Sequence, residues 1–196
     1  MGSAMRRRAK RARTSRATAG GFSLLEVVIS MAVLTVGLVS LLGVFGLAMA
    51  STQTTQQDMI AKQIANEALE SIVTARNTSQ ISWSQIQNLA NGGIFLNGSN
   101  PIYLAGADGI VGTADDAAAG LQYLQEPGPD GIYGTSDDVK VYLNGYQRTI
   151  LISPVYDANG NLVTTLRGVN ITIQYAATQA NLPKTYVLST FISQYR

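Results

Sequence analysis

From Val27 to Gln57 the chain carries no charged residue, and Val27–Ala50 consists mostly of Val, Leu, Ile, Met, Ala and Gly. As a helix those 24 residues extend about 36 Å at ~1.5 Å each, enough for a hydrocarbon core of about 30 Å. The pattern then changes. Ile60, Ile64, Ala68, Leu69, Ile72 and Val73 recur at spacings of three and four, with Lys62, Asn66, Glu67 and Glu70 between them. That is one apolar stripe on a helix. The polar join Ser51–Gln57 holds neither Gly nor Pro, so a single helix is predicted over residues 22–76, roughly 80 Å long at ~1.5 Å per residue. Its first half, with 27–50 crossing a membrane, is apolar all round. Its second half offers a stripe for docking. Gly37, Gly43 and Gly46 cost about 1 kcal/mol each relative to Ala, and close packing against other membrane helices is the better reading of them.

Residues 77–196 read as one globular head. Ser82–Leu89 can form a short helix capped by Ser82 and ended by Gly92-Gly93, with Trp83 as a core anchor. From Val139 the period becomes two: Val139, Val141 and Leu143 alternate with Lys140 and Tyr142. Asn144-Gly145 then supplies a dipeptide suited to a type I′ turn, and Tyr146–Ser153 returns as a second strand before Pro154. A turn at Asp157–Asn161 precedes a possible strand at Leu162–Leu166 with Gly168 as a bulge. Val169, Ile171, Ile173 and Tyr175 alternate cleanly, a loop runs through Pro183, and Tyr186–Ile192 forms the last strand. The expectation is an antiparallel meander laid on the second half of the long helix, an α+β fold.

Charge separates the leader from the rest. Seven of the 14 basic residues lie in the first 16 positions, and no acid precedes Glu26. Without residues 1–21, 7 basic and 12 acidic residues remain, a net charge of −5 in place of +2. The basic balance is thus a targeting feature, and nucleic acid is not an expected partner. A basic segment ahead of a membrane helix stays cytoplasmic, which puts the C-terminus across the membrane. Ala48-Met49-Ala50 superficially offers a signal-peptidase site, but the apolar run is long for a signal peptide and Glu26 is unexpected at its head. The chain has neither Cys nor His, which excludes disulfides, Ser-His-Asp and Cys-His catalysis and the usual zinc sites.

Gly106–Asp116 (GADGIVGTADD) matches Gly128–Asp138 (GPDGIYGTSDD) at 8 of 11 positions, 22 residues apart. Asp108, Asp115 and Asp116 recur as Asp130, Asp137 and Asp138. Carboxylates on glycine-containing turns suit a hard cation such as Ca²⁺, with carbonyls or water completing the shell, although neither copy has EF-hand spacing. The other reading is a pair of solvated, hairpin-like turns in which Asp forms Asx turns.

Gly20-Gly-Phe-Ser-Leu-Leu-Glu26, followed by Val27-Val-Ile-Ser-Met-Ala-Val-Leu-Thr-Val-Gly-Leu38, resembles the N-terminus of type IV pilins and pseudopilins, with PilV-type minor pilins nearest and I-type pseudopilins next. The resemblance is specific over residues 20–50 and architectural beyond them. It implies cleavage after Gly21 by a prepilin peptidase, N-methylation of Phe22, and pairing of Glu26 with the N-terminal amine of a neighbouring subunit. It also implies a pilin fold. The 1–21 leader is removed, the 22–76 helix sits in the inner membrane before assembly, and the 77–196 head lies in the periplasm. The expected role is a non-enzymatic minor pilin of a type IV pilus, whose partners are the peptidase and other pilin subunits. A minor pseudopilin of a type II secretion system is the alternative. A membrane-anchored periplasmic enzyme using acid pairs such as Asp115-Asp116 is less favoured, because adjacent acids on repeated turns make poor preorganised sites. Calcium in the Asp turns has an analogy among pseudopilins.

Overall fold

A computed structural model describes residues 21–177 and 182–195. The chain divides into two units, 1–46 and 47–196, and residues 1–20 of the expected 1–21 leader lie outside the described residues. Helix α1 spans Leu24–Asn77, within two residues of the expected bounds. In the first unit every described residue is exposed, with Leu, Val, Ile, Met and Phe side chains on all sides of the helix. The hydroxyls of Thr35 and Ser40 donate to the carbonyls of Met31 (2.7 Å) and Val36 (2.8 Å). These two hydroxyls are therefore satisfied inside the helix itself, as a hydrocarbon environment favours.

In the second unit the helix buries Ala61, Ile64, Ala65, Ala68, Ile72 and Ala75. The stripe is narrower and smaller than expected. Ile60, Leu69 and Val73 flank it half-buried, and four of its six buried residues are alanines. That sheet has the order β1-β4-β5-β6, built from Asn100–Pro101, Tyr146–Tyr156, Leu162–Ala177 and Leu182–Ser193, and every pairing in it is antiparallel. Ile150 and Ile152, Val169, Ile171 and Ile173, and Ile192 turn toward the helix and share one core with Ile86, Phe95 and Ile102. Two polar ties fasten helix to sheet. Tyr175 and Lys184 both donate to Asp58 Oδ1, at 2.7 and 2.8 Å, and Arg76 Nη1 donates to the Ser193 carbonyl at 2.7 Å. The α+β prediction holds: a long apolar helix packs against an antiparallel sheet.

Several details differ from expectation. Residues 82–89 form no α-helix but two 3₁₀ turns, Trp83–Gln85 and Leu89–Asn91. The cause is Asn88, which is buried and bound to β4: its amide donates to the Ile150 carbonyl at 2.7 Å and its Oδ1 accepts from Ile152 N–H at 2.8 Å. Holding those bonds pulls the chain off a helical path. Trp83 is half-buried, donates to the Thr164 carbonyl at 2.9 Å and carries the Arg167 guanidinium 4.6 Å over its ring.

Val139–Tyr142 (β3) is a strand, but it does not pair with Tyr146–Ser153. It pairs with Tyr123–Glu126 (β2) as a separate two-stranded ribbon, because the chain turns at Leu143–Tyr146 and β4 enters the other sheet. The expected strands at 162–166 and 169–175 are one strand, β5. Gly168 is in register with Ser153 and Phe191 and is no bulge; the register shifts between the pairs Pro154–Arg167 and Tyr156–Leu162, where β5 carries the extra residues. A Cβ at Gly168 would come within 2.9 Å of Ser153 Oγ. Pro183, expected in a loop, pairs with Ala176 in β6, an edge strand where proline is tolerated; the rest of that loop, 178–181, lies outside the described residues.

Candidate functional site

At the N-terminus the Ser23 carbonyl accepts from the N–H groups of Glu26 (3.0 Å) and Val27 (3.2 Å), so Glu26 stands in the first turn of α1. A carboxylate there is favoured by the helix dipole, yet it is followed by the uncharged run to Gln57. Gly21 and Phe22 precede the helix and are fully accessible, Phe22 at 82% exposure. A processing enzyme would thus meet exposed residues directly ahead of the helix.

The six aspartates lie on two loops, each closed by its own hydrogen bonds, and those of the first copy converge as a cluster. In the first copy Asp108 forms an Asx turn by accepting from Ile110 N–H at 2.8 Å. Asp115 accepts the Thr113 hydroxyl at 2.7 Å and Asp108 N–H at 3.3 Å. Asp116 accepts from Gly106 N–H at 3.0 Å and Gly112 N–H at 2.6 Å. Gly106 is needed because a Cβ there would lie 2.2 Å from Asp115 Oδ2. One oxygen from each of Asp108, Asp115 and Asp116 lies within 4.8 Å of the others. These three could supply ligands to a hard cation, at the cost of sharing oxygens already engaged by N–H and O–H donors.

A cation already stands at this cluster. Arg148 Nη2 is 3.8 Å from Asp116 Oδ2, with both side chains almost wholly buried. Burial pushes the Asp116 carboxyl above its ordinary range, against the pull of Gly112 and Gly106 N–H and of Arg148. It pushes the guanidinium down, with Asp116 opposing. Arg148 was missed in the sequence although a signal existed: it shares strand parity with Tyr146, Ile150 and Ile152, so it occupies an inward position. The loop is otherwise seated on the core by Ile110 and Val111, both buried, and by Val111 N–H donating to Ser71 Oγ at 3.0 Å.

The second copy is the connection between β2 and β3, so the hairpin reading holds there. Ile132 N–H donates to Asp130 at 2.8 Å, the Thr135 hydroxyl to Asp137 at 2.6 Å, and Gly134 N–H to Asp138 at 2.7 Å. Gln125 also donates to Asp138. The Thr113 and Thr135 hydroxyls hold Asp115 and Asp137 below the usual carboxylate range; for Asp138 the Gln125 amide does so first, then Gly134 N–H. The repeated threonine, not singled out beforehand, is the hinge of each triad.

One family description, the prokaryotic N-terminal methylation motif, matches residues 16–42. No curated protein and no solved structure matches the chain. The matched segment covers the N-terminal motif of type IV pilins and pseudopilins, and with the fold it defines a pilin-like protein. Such a motif implies prepilin-peptidase processing and a filament-assembly setting, for proteins that are typically structural subunits. The apolar helix, long enough to cross a membrane, accords with anchoring in the inner membrane before assembly.

Proposed function

We propose that the chain is a minor pilin, a structural subunit that enters or primes a type IV pilus after its leader, residues 1–21, is removed. The observation that carries this reading is Glu26 in the first turn of a helix whose apolar first half, to residue 46, is exposed on every side. Leaving the bilayer is unfavourable for such a helix unless similar helices replace the lipid, and an acid at its head calls for a partner of opposite charge. Cleavage after Gly21 would create that partner, an amine on Phe22 of a neighbouring subunit. Mass spectrometry of the mature protein should find methylated Phe22 as its first residue, and any other N-terminus would defeat the reading. A minor pseudopilin of a type II secretion system shares these features; recovery of the mature chain with secretion-system subunits instead of pilus would select it.

We also propose Ca²⁺ as a weak ligand of the first triad, on the convergence of oxygens from Asp108, Asp115 and Asp116 within 4.8 Å. The second triad, Asp130, Asp137 and Asp138, is a weaker candidate on the same repeat. Calorimetry of the detergent-solubilised full chain with calcium chloride should show heat at millimolar calcium that disappears in Asp115→Ala. No heat would leave Arg148 as the cluster's only cation.

A further inference from the structure

The two repeats are the same loop in two settings. Gly109 and Gly131 share φ of 68°, Gly112 and Gly134 take 88° and 87°, and the Asx, threonine and glycine hydrogen bonds correspond pair by pair. Their surroundings differ. In the first copy Ile110 and Val111 are each 2% exposed, Gly112 lies against Ile150 and Phe95, and Asp116 faces Arg148. In the second, Ile132 and Tyr133 are 60% and 67% exposed and Gly134 borders open space. The loop that one copy docks on its own core is held, ready-formed, in solvent by the other.

We propose that the Gly128–Asp138 loop is a docking knob for another protein, whose surface presents an arginine beside aliphatic side chains. That is the chemistry Arg148 and Ile150 supply to the first copy. Exposed apolar side chains also lie on the adjoining β3, with Val139 and Val141 on one face and Tyr142 on the other. Asp130, Asp137 and Asp138 make its tip negative, and the nearby Lys140 is turned back over the Tyr123 ring at 4.5 Å. An arginine meets such a carboxylate with charge-assisted hydrogen bonds, and tyrosine beside it is a typical interface anchor. A second copy of this chain is a poor source of that arginine. Among the described residues the arginines are Arg76, Arg148 and Arg167, and each is engaged, with the Ser193 carbonyl, Asp116 and the Ile86 carbonyl respectively. The inference does not depend on which filament the chain joins.

The test places the photocrosslinker p-benzoylphenylalanine at Tyr133, and in a second preparation at Ile132, in the full-length chain in its native cells. Irradiation should give a dominant adduct whose crosslinked peptide belongs to a different protein and holds an arginine beside aliphatic residues. Asp138→Arg should lower the adduct roughly tenfold by like-charge repulsion, and reversal of the mapped arginine to Asp in the partner should restore it. Asp138→Asn, which keeps one acceptor for Gly134 N–H, should give a smaller drop without altering the amount of chain. An adduct to a second copy of this chain, one indifferent to Asp138→Arg, one lost on calcium chelation, or none from either position would overturn the proposal. The N-terminus of the same preparation, read by mass spectrometry, reports separately on the pilin reading.

Discussion

Arg148 sits where the alternation of β4 would place an isoleucine, opposite Ile173 and across from Asp116. Both charges have left water, and Nη1 of the guanidinium has no hydrogen-bond partner. A pair of this kind adds little net stability, but removing one member strands the other. Arg148→Met should therefore destabilise the fold by about 3 kcal/mol at neutral pH, the lower end of the usual cost, since Asp116 keeps its N–H donors. The pH dependence has a definite sign. Burial already raises the Asp116 pKa and Arg148 opposes that rise, so the substitution raises it further. A carboxyl whose folded pKa exceeds its unfolded value near 3.9 favours folding most when protonated, and loses that contribution as pH rises through the folded pKa. The deficit of Arg148→Met should thus be largest near pH 7 and shrink as pH falls toward 4. Melting curves of the full chain and the variant in detergent across that range check it; an equal deficit at both ends would mean the cost is packing alone. The acids were legible because the repeat displayed them twice. Their buried counter-charge was not, because strand parity was read for apolar residues only.

At the scale of elements, the long helix was legible to within two residues because composition and spacing agreed along its whole length. The meander neighbours β4, β5 and β6 were legible as strands and as partners, while the partner of β3 was not. Period two says which side chains share a face, and it is silent about which edge a strand meets. Val139–Tyr142 shows this: its alternation is clean, yet Val139 and Val141 are exposed and the strand completes a ribbon with Tyr123–Glu126, a strand too short to have been seen. Asn144-Gly145 made a hairpin between 139–143 and 146–153 attractive. The turn exists, with Tyr146 N–H donating to the Leu143 carbonyl at 3.1 Å, but Leu143 is drawn into the core while β4 pairs with β5. Asn88 taught the converse lesson. One buried amide, bound at three points to the Leu96 carbonyl and the β4 backbone, overrode helical propensity across 82–89, as tertiary contacts commonly do.

Across the whole molecule, the matched family description covers residues 16–42, the N-terminal motif and the first part of the membrane run. A filament subunit of the proposed kind would have to present its helix to its neighbours' helices. Glu26 is where this argument can be tested. Its side chain is exposed, so the described residues of the same chain do not shield it, and the core of the head lies entirely in residues 61–192. Folding of the head should therefore be indifferent to it. Glu26→Ala should yield a chain that is cleaved, reaches the inner membrane and melts as the parent does in detergent. Its entry into filaments should fall by roughly tenfold or more, the change expected when a pairing of about 1.4 kcal/mol is lost. Glu26→Asp, with the charge kept but withdrawn by one methylene, should recover part of the loss. The measurement is the ratio of variant to parent chain in sheared filaments, normalised to the membrane pool of processed protein. Equal incorporation of Glu26→Ala would show that the exposed apolar surface alone recruits this helix, and that its acid pairs with no neighbouring amine.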